Sequence, residues 1–266
     1  MGKILTVVIP SYNVEKYLRQ TLDSFLAEEV FAEVEVVVVD DGSKDRTAEI
    51  GQEYADKYPD IFKVISKPNG GHGSTINKGI EVARGKYFKV VDGDDWVNTG
   101  EFVKLVHALS DCDADYVIAD YNQVDDNTQE ETLITFPVLK GKNLWEFNEI
   151  ADKMEIPMHA LVIKTSILKE NHIHIDENSF YVDVEYTLFP VPYVETVAYY
   201  PFCVYQYRVA QVAQSVSIKG FQKHMQNHID VTLHLCEFLK EFSGAHKEEV
   251  KINHIANRVA SMVGDQ

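Results

Sequence analysis

The sequence predicts an α/β protein: a doubly wound sheet that becomes mixed toward its second half, flanked by helices, with a helical segment at the C-terminal end. Three observations carry this. Apolar β-branched runs alternate with helical stripes three times before residue 86, and these strands end in polar residues. Carboxylates cluster after the second strand and after the run at 87–91, where the carboxyl ends of an open parallel sheet hold ligands. Beyond Tyr121 the alternation weakens into a hairpin and short apolar runs, as a mixed sheet requires.

The chain of 266 residues is 45% hydrophobic, enough for one large domain or two small ones. Its formal charge of −17 repels any phosphate-rich polymer, and no Lys/Arg-rich run offsets it, so nucleic acid is excluded as a partner. A small phosphorylated ligand is compatible, because a metal and helix N-termini neutralise it locally. Cys112, Cys203 and Cys236 are scattered and odd in number, with no Cys-x-x-Cys pair, which fits a reducing cytoplasm. The N-terminus lacks the pattern of a signal peptide, and no apolar run reaches a membrane span. The residues from Met1 to Thr6 match a loose myristoylation pattern but read better as the lead into a strand, so peripheral contact with the inner membrane face stays open.

In chain order, Ile4 to Ile9 is a strand stopped by Pro10, and Ser11-Tyr12-Asn13 turns into a helix with Asn13 as N-cap. Tyr17, Leu18, Thr21, Leu22, Phe25 and Leu26 form its packed face. The valine run from Val34 to Val39 has the continuous apolar character of a parallel strand buried on both faces. It ends in Asp40-Asp41-Gly42-Ser43, where Ser43 is positioned to cap a helix running through Ile50, Tyr54 and Tyr58. One of the two carboxylates is explained by turn chemistry; a pair at a strand tip suits ligand binding better.

Phe62 to Ser66 is a third strand, followed by Lys67 and a loop with glycines at 70, 71 and 73 that lets backbone approach a ligand closely. The next helix buries Ile76, Ile80 and Ala83, and Gly85 is expected to end it. The glycine cluster lacks the signatures of a P-loop or a dinucleotide site. Tyr87 to Val91 then ends in Asp92-Gly93-Asp94-Asp95, three carboxylates in four residues, a pattern suited to a divalent cation that prefers oxygen. An acidic turn accounts for one Asp-Gly step equally well. Asn98 and Glu101 form a capping box for a helix through Phe102, Leu105, Val106 and Leu109.

Tyr116 to Tyr121 and Thr132 to Phe136 read as strands around a turn at Asp125–Thr128, Leu144 to Met154 as a short helix, and Ala160 to Ile163 as a strand. His172 and His174 alternate as on a strand, but no third nitrogen or sulfur ligand has a familiar spacing, and a metal reading is not favoured. Phe180 to Tyr186 reads as an apolar strand that aims Asp183 and Glu185 at one face, where burial raises their pKa values toward those of proton acceptors. Val197 to Arg208 is β-rich, and a polar segment ends at Gln214-Ser215-Val216-Ser217. Two helical stripes follow: Phe221, Met225, Ile229, Leu233 and Leu239, then Ile255, Val259 and Met262.

Taken together, Pro10-Ser11-Tyr12-Asn13, Asp40-Asp41-Gly42-Ser43, the Asn69–Gly79 loop and helix, Asp92-Gly93-Asp94-Asp95 and Tyr181-Val182-Asp183 resemble the family-two glycosyltransferases, inverting enzymes of GT-A fold. The resemblance implies a GT-A domain over 1–217, with a nucleotide-binding half over about 1–97 and an acceptor-side half over about 98–217, then a C-terminal helical segment at 218–266, whose amphipathic stripes leave truncation of a longer protein open. It implies that Pro10, Ser11, Tyr12, Asn13, Asp40, Asp41, Lys67, Asn77, Asp92 and Gly93 contact the nucleotide sugar. Asp94 and Asp92, with Asp95 as a further candidate, would hold Mn2+ or Mg2+ on the diphosphate. Asp183 would be the general base, with Glu185 in reserve. Relatives carry an arginine where Ile76 stands, so Lys67 or His72 is expected to supply the basic contact to the donor.

The expected function is transfer of a single sugar from a nucleoside diphosphate, UDP first among the candidates, to a glycan or lipid-linked acceptor, in the cytoplasm or at the inner face of the membrane. A sugar nucleotidyltransferase is a weaker fit, since its glycine-rich basic loop after the first strand is missing. A non-catalytic nucleotide- or glycan-binding module remains the alternative of a different class, and oligomeric state is open.

Overall fold

The computed structural model describes residues 2–210 and 218–264. In order these form β1 (Leu5–Ser11), α1 (Leu18–Asp23), β2 (Val34–Asp40), α2 (Thr47–Lys57), β3 (Phe62–Ser66), α3 (Gly71–Val82), β4 (Tyr87–Val90), β5 (Trp96–Val97) and α4 (Thr99–Asp111). Next come β6 (Tyr116–Asp125), β7 (Glu131–Ile134), β8 (Leu144–Glu146), α5 (Phe147–Ile150), β9 (Leu161–Lys164), α6 (Thr165–Glu170), α7 (Asp183–Leu188) and β10 (Thr196–Val209). The chain closes with α8 (Ile218–Lys223), α9 (Met225–Ala245) and α10 (Glu249–Gly264). The polar segment expected to end the transferase domain, at 211–217, lies outside the described residues.

One sheet runs in the order β3-β2-β1-β4-β9-β6-β10-β5, with β7 on β6 and β8 on β10. β3, β2, β1 and β4 are parallel, so their carboxyl ends share one edge; β9 then pairs antiparallel with both β4 and β6 and makes the sheet mixed. All seven residues of β1 and all seven of β2 are buried, the result expected for strands covered on both faces. Because β1 lies between β2 and β4, connections leave it in two directions and open a crevice at the tips, where a ligand fits.

Several local expectations are corrected. Asn13 does not cap α1; its φ is 54°, its side-chain oxygen accepts from the Lys44 N–H at 2.7 Å, and its own N–H donates to Ser43 Oγ at 3.0 Å. Asn13 and Ser43 thereby tie two strand-to-helix loops together, and Ser43 leaves the start of α2 to Asp45, which accepts from Thr47 N–H at 3.0 Å. Gly85 lies beyond the α3 cap at Ala83 and serves instead where the chain meets the backbone of Leu5 and Thr6. Leu144–Glu146 is a strand, not the start of a helix, because it pairs with β10. On α9 the packed face is His228, Val231, Thr232, Leu235 and Phe242, leaving Met225 and Leu233 exposed; α10 buries Ile255, Val259 and Met262 as expected. Among the described residues no helix is long and apolar enough to cross a membrane.

Candidate active site

The tips of β1 and β2 frame a cavity of about 330 Å³ lined by Pro10, Ser11, Tyr12, Asn69, Thr75 and Phe180 among others. Tyr12 is half exposed and Ser11 is buried with its hydroxyl on the Ile9 carbonyl. Asp40, buried behind this wall, accepts from the Ser43 N–H at 3.1 Å. Asp41 is buried too, but its carboxylate is committed inward. It accepts from Gly70 N–H at 2.9 Å, Gly71 N–H at 2.8 Å and Lys67 Nζ at 2.7 Å, and so pins the glycine loop against β2. Lys67 also donates to Ser74 Oγ and the Pro68 carbonyl, so it is a strut of the loop rather than a cation turned to the cavity. Gly73 is required by packing: a Cβ there would collide with the Asp176 carbonyl and the Ile175 side chain. Asn77 likewise faces away from the cavity, clasping Ile175 through its N–H at 2.9 Å and its carbonyl at 2.8 Å.

A second cleft, of about 550 Å³, adjoins the first and shares His72 and Phe180 with it. Asp92, Asp183, His159, Tyr207 and Arg258 face it. His72 Nε2 lies 2.7 Å from Asp92 Oδ1. Burial alone would raise the Asp92 carboxyl, but His72 and His159 outweigh it and hold the group below the usual carboxylate range. Burial, joined by the Asp92 charge, lifts Asp183 above that range against the opposing pull of His72 and Arg258. His159, stacked near Tyr121 and Tyr207, is pushed down to about 4 by burial and is neutral at physiological pH.

Beyond Asp92 the turn crosses the end of β1 at Gly93, where a Cβ would sit 2.9 Å from the Pro10 carbonyl. Asp94 follows, half-buried. Asp92 and Asp94 are the partly buried carboxylates this turn offers, and oxygen donors are the kind Mg2+ or Mn2+ prefers. Asp95 does not join them: it is buried, accepting from Tyr205 Oη at 2.5 Å and Arg208 N–H at 2.7 Å. Burial and the charges of Asp94 and Asp92 raise its carboxyl well above the ordinary value.

Arg208, next to the last residue of strand β10, fixes this region. Its Nε donates to the Asp94 carbonyl at 2.8 Å, its Nη1 pairs with Asp126 at 2.6 Å, and its Nη2 donates to Gln20 at 2.7 Å. The guanidinium lies 4.6 Å from the ring centres of both Tyr17 and Trp96. Sequence reasoning missed this role, as it missed Tyr205 and His159, because each partner is more than sixty residues from the motif it supports. Buried Lys89, lowered by burial to about 7, donates to the carbonyls of His159 and Leu161 and holds β9's entry beside β4.

Asp183 and Glu185 are not on a strand. They open α7, where residues two apart point in different directions, so the shared-face expectation fails. Tyr181, at φ 65°, turns the chain into this helix, an uncommon conformation for an aromatic residue, and its ring meets His228 edge-on at 5.0 Å. Asp183 faces the cleft. Glu185 is fully buried on the other side, accepting from Asp176 N–H at 2.8 Å, with His234 Nδ1 at 3.1 Å from Glu185 and 2.9 Å from Asp176. This cluster ties α9 to the helix that carries Asp183. His172 and His174 lie on a loop, not a strand.

Comparison with known proteins fits this geometry. The profile described as "Glycosyl transferase family 2" matches residues 6–169. The minor teichoic acid biosynthesis protein GgaB of Bacillus subtilis is 31% identical over 189 residues, 65% of this chain and 19% of GgaB. Curated relatives are longer, the chain spanning between 19% and 65% of the length of three of them. Among solved structures, S. aureus TarS 1-349 in complex with UDP-GlcNAc superposes with a TM-score of 0.67 at 21% identity, covering 87% of this chain and 66% of that one. The mannosyltransferase PcManGT from Pyrobaculum calidifontis, in complex with GDP-Man and Mn2+, gives 0.60 at 16% identity, covering 97% and 69%. The mixed sheet with flanking helices is thus the GT-A fold. With its family profile covering most of the sheet and the carboxylate turn at the strand tips, the chain belongs to glycosyl transferase family 2.

Proposed function

We propose that the chain transfers one sugar with inversion from a nucleoside diphosphate donor to a hydroxyl of a glycan or lipid-linked acceptor. One observation carries the reading: Asp92 and Asp183 face the same cleft, which adjoins the cavity at the tips of β1 and β2. The nucleotide occupies that cavity against Pro10, Ser11 and Tyr12, with Asp40 behind it. Asp92 and Asp94 would hold a divalent cation, which would supply charge neutralisation for the departing diphosphate. Asp183, its carboxyl lifted by burial, takes the proton of the acceptor hydroxyl as that oxygen attacks the anomeric carbon. His72, held on Asp92, orients the carboxylate. UDP is the favoured nucleotide, on the likeness to TarS, and Mn2+ is supported by the likeness to PcManGT. The likeness to a minor teichoic acid biosynthesis protein supports an acceptor that is a growing biosynthetic polymer.

The test is release of UDP from UDP-sugars by the purified chain with Mn2+, comparing wild type with Asp183→Asn. Removing a general base lowers turnover by ~100-fold to ~10,000-fold. Equal turnover in the variant would remove Asp183 from the chemistry. Tight UDP binding with no turnover of any sugar would move the reading to a nucleotide-binding module.

A further inference from the structure

The C-terminal helices carry no recognised motif, yet they wall the cleft that holds Asp92 and Asp183, through His228 on α9 and Arg258 and Met262 on α10. Arg258 is the one arginine or lysine among the residues lining it. It also lines two smaller cavities, of about 70 and 190 Å³, the first bordered by Asp183 as well. Neither shares a residue with the cavity at the tips of β1 and β2. The spaces therefore follow one another from the nucleotide pocket, past Asp183, to Arg258.

Among the described residues the guanidinium of Arg258 has one carboxylate partner, Glu155, at 3.9 Å. That separation is longer than a hydrogen bond, and Glu155 is 64% exposed, so water competes for it. The side chain of Arg258 is only 27% exposed. A guanidinium that is largely covered, loosely paired with Glu155 and close enough to Asp183 to pull on its carboxylate still offers a fork of donors to an oxyanion that completes it. The formal charge of −17 adds a second reason: an anionic substrate meets repulsion from most of the surface and needs a local cation at its site.

Resting on the transferase reading above, we propose that Arg258 is an acceptor-binding residue that takes a phosphate or carboxylate carried by the acceptor close to its attacking hydroxyl. Asp183 then stands between that anion and the donor sugar, so that seating the anion delivers the hydroxyl to the base. The acceptor class is a polyol phosphate or an acidic sugar rather than a neutral glycan.

The experiment is calorimetric titration of the full chain, loaded with UDP and Mn2+, with glycerol 3-phosphate, glycerate and glycerol as probes. Loading fills the donor pocket, so that a probe phosphate cannot enter there. Saturable binding of one or both anions is expected, with none for glycerol; glycerol 3-phosphate alone identifies a phosphoryl acceptor, and both identify a general oxyanion site. Arg258→Ala should weaken anion binding tenfold or more, Arg258→Lys less, while UDP affinity moves by under twofold in each. Anion binding that is equal in Arg258→Ala, or no anion binding by wild type, would overturn the proposal. Failure of UDP to bind is a separate result that rejects the donor site, and the anions titrated onto the nucleotide-free chain still report on Arg258.

Discussion

Replacing Asp41 with alanine should unfasten the nucleotide pocket from its sheet. The carboxylate is 2% exposed and accepts from two backbone N–H groups at 2.8 and 2.9 Å and from Lys67 at 2.7 Å. Hydrogen bonds to a charged group contribute ~1.5–3 kcal/mol each, so stranding the Gly70 and Gly71 donors costs about 3–6 kcal/mol. The Lys67 ammonium is 21% exposed and regains water, so its lost pairing adds little. For a chain of this size ~4 kcal/mol lowers the melting temperature by roughly 8–16 °C, at ~2–4 °C per kcal/mol. Calorimetric melting, followed by UDP titration below the transition, reads both consequences. The variant should melt early and bind UDP at least tenfold more weakly, because the Asn69–Gly71 wall is released. A drop below about 3 °C with UDP affinity intact would refute the assignment of Asp41 as the loop's anchor.

Two further perturbations test the supports. Arg208→Ala removes a guanidinium that pairs with Asp126 and holds the Asp94 carbonyl, and breaking such a buried pair costs about 3–5 kcal/mol; urea midpoints should fall accordingly and Mn2+ affinity should fall with them, whereas stability loss without any change in metal affinity would contradict its role in shaping the turn. Burial raises Glu185 to about 7, above its unfolded value, so the folded chain favours the protonated form and loses that stabilisation as pH rises from ~4.5 to 7; wild type should lose about 3 kcal/mol relative to Glu185→Gln across this window, and parallel urea profiles would exclude the effect. His234, which burial would lower but Asp176 and Glu185 raise, adds to the same downward trend as pH rises past its ordinary range.

The parallel half of the sheet was legible because its signal is local. The valine run of β2 and the apolar run of β1 are continuous, and Asp40 at the tip of β2 and Asp92 just after β4 stand there whatever the rest of the chain does. Where a tertiary partner decides, local pattern misled. Asp41, which lines the cavity, Lys67 and Asn77 on α3 direct hydrogen bonds to Gly70, Ser74 and Ile175, and no spacing rule reports those partners. The alternation through Phe180–Tyr186 mimics a strand, yet the left-handed turn at Tyr181 starts a helix that sends Asp183 and Glu185 apart. Arg258 was invisible for the same reason, being a charged residue on an amphipathic helix until the fold brings α10 beside Asp183.

In the proposed function the donor nucleotide is held through a cation on the Asp92-Gly93-Asp94 turn. Calorimetric titration with UDP tests it most directly, with Mn2+, with chelator, and in Asp94→Ala. Binding should need the metal and be lost in the variant, with GDP weaker than UDP. UDP affinity that is the same with chelator and in Asp94→Ala would contradict it.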